Sequence, residues 1–313
     1  MSPEADVSRL VSSARQINII VHRNPDGDSL GSALALKQAF PKKNIRLFCK
    51  SPIPSVFTAI LGPIETAERL ENADLIMVVD CSELHHTGYA QELPNATKSG
   101  SPLVVIDHHR QGNLVKLAAF NWCDSTASTT AELVSQLLGN MRIALNAEIA
   151  TSLLLGLYTD TGGFQHPNTN SATLRLAGHL IGCGAKLQQI TESLAARRSL
   201  IQTKLWGYAM NTVEIDKKGL ASARISRQTM KDLGAGAEDA AGLANLLCLT
   251  NEARASLVLV ETDSGWRGTL RTRHKDMNMH ELATLFNGKG TRRSAGFLAT
   301  NELILGKILD EPV

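Results

Sequence analysis

The chain has 313 residues, 43% apolar and 20% charged, with 32 basic against 30 acidic side chains and a formal charge of +2. This is a globular mix rather than a disordered or fibrous one, long enough for two domains that each bury a core. The near-neutral balance gives no reason to expect binding along long duplex nucleic acid, and five cysteines without a CxxC pair argue against a disulfide framework or a zinc knuckle.

The first predicted element is a buried strand over Ile17–Val21, which runs into HRNPDGDSLGS and then the helical SALALKQAF. Ile45–Phe48, Leu75–Val79 (LIMVV) and Leu103–Ile106 (LVVI) read as further strands, and Ala127–Leu138 and Ala144–Leu157 as helices. This alternation predicts an α/β fold: a parallel sheet with helices on both faces. From Leu187 to Asn211 the chain reads as helical, with Arg197, Arg198 and Lys204 on its polar side. Beyond it, ASARISR and ASLVLVET read as strands, Glu281–Phe286 as a helix and Asn287–Gly296 as a basic, Gly-rich loop. The expected organisation is a first domain over 1–190, a helical connector over 191–211 and a smaller mixed α/β domain over 212–313.

Chemistry-bearing residues gather at the strand ends. The first strand ends at His22, LIMVV at Asp80 and LVVI at Asp107-His108-His109, and open α/β sheets bind ligands beyond the carboxyl ends of their strands. Asp26 and Asp28 flank Gly27 in one loop, so their charges repel unless a cation neutralises them. Asp160 follows an apolar helix and precedes Thr161-Gly162-Gly163; His166 beyond it reads as lining a substrate surface, whereas His85 and His86 read as a solvated loop. Mixed oxygen and nitrogen donors suit a divalent ion, with manganese expected and magnesium or another divalent ion the alternative. Two such ions about 3.5–4 Å apart would activate water and clamp a phosphoryl group.

The ordered set HRNPDGDSLGS, VVDCS, VIDHH and GLYTDTGGF resembles the DHH phosphoesterase family. The similarity is to the branch containing bacterial nano-RNases that also dephosphorylate 3′-phosphoadenosine 5′-phosphate. It implies that His22 and Asp26 hold one metal, that Asp28, His108 and Asp160 hold the second, and that Asp80 bridges them. It further implies that Asp107 orients the neighbouring histidine and that His109 faces the substrate phosphate. Ser125–Glu132 (STASTTAE) resembles a small-polar motif opening a helix. In the C-terminal part, Arg271 falls on the family's phosphate-clamping arginine. The Gly-rich stretch that follows departs from the pattern: Thr291 stands where the family usually has histidine and Lys289 where it has glycine. Lys289, Gly290, Thr291, Arg292 and Arg293 are the expected substrate-loop residues.

The expected activity is two-metal release of 5′-mononucleotides from short oligoribonucleotides, removal of the 3′-phosphate of 3′-phosphoadenosine 5′-phosphate, or both. Cyclic or linear dinucleotide hydrolysis is the alternative, followed by pyrophosphate or polyphosphate hydrolysis and a non-catalytic nucleotide-binding regulator. The last leaves the crowded carboxylates without a purpose. The expected partners are short RNA or a small phosphorylated nucleotide, with neither long duplex nor membrane, and a homodimer is open. The acidic MSPEADVSRL start and the lack of an apolar run of roughly 18 residues predict a cytoplasmic protein.

Overall fold

Short apolar runs in the first half of the chain form β1 (Gln16–Ile20), β2 (Asn44–Phe48), β3 (Leu75–Val79), β4 (Leu103–Asp107) and β5 (Phe120–Cys123). All pair in parallel, in the order β2-β1-β3-β4-β5. Every residue of β3 and β4 is buried, as central strands covered on both faces require. Successive side chains point to opposite faces, so Met77, Val79, Val104 and Ile106 join one core while Ile76, Val78, Leu103 and Val105 join the other. The structure, a computed structural model, describes residues 3–195 and 199–299. Arg197 and Arg198, assigned from sequence to a polar helix face, lie outside the described residues.

The first core is covered by α1 (Pro3–Ser13), α2 (Gly27–Ala39), α3 (Ser55–Leu61), α6 (Thr130–Asn140), α7 (Ala147–Asp160), α8 (Ser171–Gly182) and α9 (Leu187–Leu194). On the other face, α4 (Leu84–Thr87) and α5 (Glu92–Lys98) supply Leu84, Leu93 and Ala96, with Tyr89 between them. The sequence expectation stops the apolar helix at Leu157. In fact α7 continues to Asp160 and stops where Gly162, Gly163 and Phe164 all take positive φ.

Helix α2 is buried along nearly its whole length, and its small residues allow it to lie directly against α7. A Cβ on Gly31 would collide with the Ser152 carbonyl oxygen, which is backbone and cannot rotate away. Gly31→Ala is therefore expected to lower stability by about 1–3 kcal/mol, seen as a lower midpoint in thermal unfolding. An unchanged midpoint would show that α2 and α7 can separate without penalty.

The chain divides into two compact units at Ala195 and Ala196. The second unit has a mixed sheet in the order β10 (Lys289–Gly290), β11 (Ser294–Ala299), β9 (Gly265–Thr272), β8 (Ala255–Thr262), β7 (Leu220–Ile225) and β6 (Glu214–Ile215). Only β7 and β8 run parallel among the described strands of this sheet. One face packs under α10 (Leu200–Asn211), α11 (Arg227–Leu233) and α12 (Leu243–Leu247), the other under α13 (Met279–Thr284). Leu205, Trp206 and Ala209 of α10, a segment read from sequence as part of the connector, belong to this unit's core.

The Asn287–Gly296 segment, expected as a loop, is largely a β-hairpin: Lys289 pairs with Gly296 and Gly290 with Ala295. Thr291 closes its turn, donating its N–H to the Ser294 carbonyl at 2.6 Å. Alternation along β11 turns Ala295, Phe297 and Ala299 into the core, where Phe297 packs against Phe286. Among the described residues no helix is long and apolar enough to cross a membrane.

Candidate metal centre

The centre lies beyond the carboxyl ends of β1, β3 and β4, where a sheet of this strand order opens its crevice. His22 follows β1, and its Nδ1 lies 2.7 Å from the Arg23 carbonyl oxygen, to which it donates. That bond fixes the tautomer and leaves Nε2 facing Asp26 Oδ1 at 3.6 Å and Asp80 Oδ2 at 3.7 Å. Asp26 also caps α2, accepting from the Ser29 N–H at 2.9 Å.

Asp28 points from the first turn of α2 to the start of α6. There its oxygens accept the N–H groups of Thr130 at 2.6 Å and Ala131 at 2.9 Å. Unpaired N–H groups and the positive end of a helix are a natural seat for a carboxylate. Thr130 also donates its hydroxyl to Asp80 Oδ1 at 3.0 Å, while the preceding Thr129 caps the helix. The hydroxyl-rich STASTTAE stretch thus positions two acidic side chains. The run of hydroxyls was the visible signal for Thr130, but the carboxylates it holds are 102 and 50 residues away in sequence.

Asp80 terminates β3 with φ +58, a left-handed conformation costing a non-glycine residue about 1 kcal/mol or more. The turn sends its carboxylate into the crevice. His108 Nε2 lies 3.6 Å from Asp80 Oδ1, 3.6 Å from Asp160 Oδ2 and 4.0 Å from Asp28 Oδ2. This nitrogen is buried and has no hydrogen-bond partner. A buried ring nitrogen surrounded by three carboxylates without bonding to any of them fits an intervening cation. Bonds of about 2.1 Å space a cation's ligand atoms about 3–4 Å apart.

Two donor sets result: His22, Asp26 and Asp80, and Asp28, His108 and Asp160, with the atoms of each within 4.8 Å of one another. Asp80 turns Oδ2 toward the first set and Oδ1 toward the second. A third grouping combines Asp80, His108 and His109. In this grouping, however, His109 Nδ1 is committed to Asp107 Oδ1 at 2.8 Å. Asp107 is fully buried and also accepts the His109 N–H at 3.0 Å, so the histidine it orients is His109.

The electrostatics describe a site short of positive charge. Burial, then the charge of Asp80, raises the Asp28 pKa well above the ordinary carboxylate value. Burial also raises Asp80 and Asp160. Burial opposes a charge on His22, yet hydrogen bonds to Asp26 and Asp80 hold its pKa at about 11. For Asp26, burial is outweighed by His22 and Ser29, which bring it down to about 2. Hence the metal-free site retains protons on Asp28, Asp80, Asp160 and His22 to higher pH than isolated groups would, and a cation must displace them. Divalent-ion affinity is expected to rise between about pH 6 and about pH 8, with protons released on binding. Calorimetric titration in buffers of different ionisation enthalpy measures both; equal affinity at the two pH values would contradict this account.

His166, outside both donor sets, is exposed and donates Nδ1 to the Asp160 carbonyl oxygen at 3.1 Å. Asn168 was missed from sequence: its amide lies 3.1 Å from the Ser128 carbonyl and 3.4 Å from Asp160 Oδ2, tying the α7 end to the α6 start. His85 and His86 sit on the short α4 rather than in a loop, with exposed rings and no part in a donor set among the described residues. Cys81, beside Asp80, is buried, and desolvation pushes its thiol up to about 12, which removes thiolate reactivity.

In the second unit, Arg271 stands on β9 opposite Ser256 of β8 and Ser294 of β11. Its Nε is buried without a hydrogen-bond partner, beside a cavity of about 440 Å³ shared with Asn245, Arg267 and Thr269. Lys289, Gly290, Thr291, Arg292 and Arg293 are exposed along the β10–β11 hairpin. Phe297 lies in the core cluster beneath α13, and the half-buried Trp266 packs against that cluster.

A family model for the N-terminal domain of the DHH family matches residues 16–157. The chain is 31% identical over 292 residues to the bifunctional oligoribonuclease and PAP phosphatase NrnA of Bacillus subtilis, covering 89% of this chain and 88% of that protein. It is 27% identical over 283 residues to the protein of the same description from Thermus thermophilus, covering 90% and 83%. An exopolyphosphatase-related protein from Bacteroides fragilis has the same fold, with a TM-score of 0.75 at 21% identity over 98% of this chain and 95% of its own. With paired donor sets at the strand ends and this extent of similarity, the chain belongs to the DHH family of metal-dependent phosphoesterases and is related to its bifunctional oligoribonuclease and PAP phosphatase branch.

Proposed function

We propose that the protein hydrolyses short oligoribonucleotides to 5′-mononucleotides and removes the 3′-phosphate of 3′-phosphoadenosine 5′-phosphate, using two divalent ions with manganese as the native metal. The observation that carries this reading is Asp80, whose two carboxylate oxygens face two separate donor sets. His22 and Asp26 would hold one ion, Asp28, His108 and Asp160 the other, and Asp80 both. Bound there, the ions would lower the pKa of water and neutralise phosphoryl oxygens.

The chain's own groups do the rest. The N-terminus of α6 fixes Asp28, and Asp107 aims the His109 ring. The Asp107 hydrogen bond raises His109 to about 9, so His109 keeps a proton near neutral pH and can deliver it from Nε2 to the departing oxygen. The unpartnered Arg271 Nε suits a phosphate acceptor, and Thr291 with Lys289, Arg292 and Arg293 would shape the substrate loop.

The test is product analysis with manganese on di- to pentaribonucleotides, long RNA and 3′-phosphoadenosine 5′-phosphate, with Asp80→Ala as the control. Rapid mononucleotide release from the shortest RNAs is expected, together with adenosine 5′-monophosphate from the bisphosphate. Turnover confined to cyclic dinucleotides or to pyrophosphate would overturn the assignment while leaving the metal centre standing.

A further inference from the structure

A second feature of the first unit is used by neither donor set. Arg23 directly follows His22, Lys50 and Ser51 follow β2, and Gly88, Gln91 and Glu92 come from the segment after β3. Together they line an open cavity of about 620 Å³, beyond the carboxyl ends of the two strands at one edge of the sheet. The two cationic side chains are brought together deliberately by the backbone. Gly88 has φ +80, and a Cβ there would lie 2.6 Å from Lys50 Cγ and 3.0 Å from Arg23 Nε, so both side chains cross the space that only a glycine leaves.

Lys50 is fixed in place. Its ammonium lies 4.4 Å over the ring of fully buried Tyr89 and 3.4 Å from Glu92. Arg23 has no acidic partner within ion-pair range among the described residues, and its backbone N–H is anchored to the His86 carbonyl at 2.7 Å. Two cations sharing one cavity with a single carboxylate repel each other, and that arrangement is relieved by an anion. A guanidinium with an ammonium beside it matches the oxygens of a phosphate group, and the Ser51 hydroxyl, which donates to Asn24 Oδ1 at 3.3 Å, would turn from that amide to add a third donor.

We infer that Arg23, Lys50 and Ser51 form a second-phosphate subsite, which takes a phosphate one position removed from the scissile one. The inference rests on the proposed phosphoesterase function. A substrate with two phosphates is then preferred over its single-phosphate analogue, because the additional group has its own seat in the first unit.

The experiment compares a diadenylate carrying a 5′-phosphate with the same dinucleotide lacking it, in wild type, Arg23→Gln and Lys50→Met. Lys50→Met keeps an unbranched stem over Tyr89. For the 5′-phosphorylated substrate each variant is expected to raise KM about 10-fold, with kcat nearly unchanged. For the dinucleotide without that phosphate, KM should stay within about 2-fold of wild type. Equal KM increases on both substrates, or none on either, would overturn the subsite. Calorimetric binding of the phosphorylated dinucleotide to the Asp80→Ala protein and to its Arg23→Gln double variant gives a readout independent of turnover. Should wild type cleave neither dinucleotide, the proposed substrate class fails, and the subsite stands or falls on whether Arg23→Gln weakens that binding.

Discussion

Asp80→Asn is expected to lower phosphoester turnover by on the order of 10³-fold or more, with fewer than two divalent ions retained per chain. Each oxygen of Asp80 faces a different donor set, so the amide necessarily presents N–H groups to one of them and repels a cation there. Asparagine keeps the volume and tolerates the φ of +58 found at this position, which separates loss of charge from loss of fold. The metal-free variant should unfold at a higher temperature than metal-free wild type at neutral pH. The sign follows from burial, which raises the Asp80 pKa: the folded state favours the protonated form, so the stability contributed by Asp80 falls as pH rises and its carboxyl ionises. Elemental analysis and thermal unfolding check both parts. Two retained ions with turnover within about 10-fold of wild type would refute the role given to Asp80.

The same crowding explains why so much of this centre was legible in the sequence. Acidic and imidazole groups placed directly after apolar β-runs must emerge at one edge of a parallel sheet, so His22, Asp80 and Asp107–His109 could be brought together without coordinates. What local patterning could not supply was the long-range support. The pairing of Asp28 with the N–H groups of Thr130 and Ala131 spans more than a hundred residues, and Asn168 reaches Asp160 through a loop without periodicity. The second unit was harder because Gly, Ser and Thr in Asn287–Gly296 read as loop, while cross-strand pairing with β9 makes Ser294–Ala299 an inner strand. Gly31 likewise owes its smallness to another helix backbone, a partner fixed only by tertiary packing.

Asp107→Asn is expected to reduce kcat by about 10–100-fold near pH 8 and to move the alkaline limb of the pH–rate profile toward lower pH. The Asp107 carboxylate is wholly buried and within hydrogen-bond distance of both the backbone and ring nitrogens of His109. That bond is the largest cause of the raised His109 pKa of about 9, ahead of the opposing effect of burial. An asparagine oxygen can still accept from Nδ1 and hold the ring, but it carries no charge. The His109 pKa then falls toward its ordinary value, and the protonated fraction above neutral pH falls with it. Bound cations act in the same direction by offsetting the field of Asp80 and Asp160, so the loaded enzyme should titrate below about 9 and above the variant. Acidifying the assay should restore part of the lost rate in Asp107→Asn and none in His109→Ala, because only the former retains a ring to protonate. An alkaline limb that stays in place in Asp107→Asn would mean that the proton reaches the departing oxygen by another route, leaving Asp107 with the orientation of His109 alone.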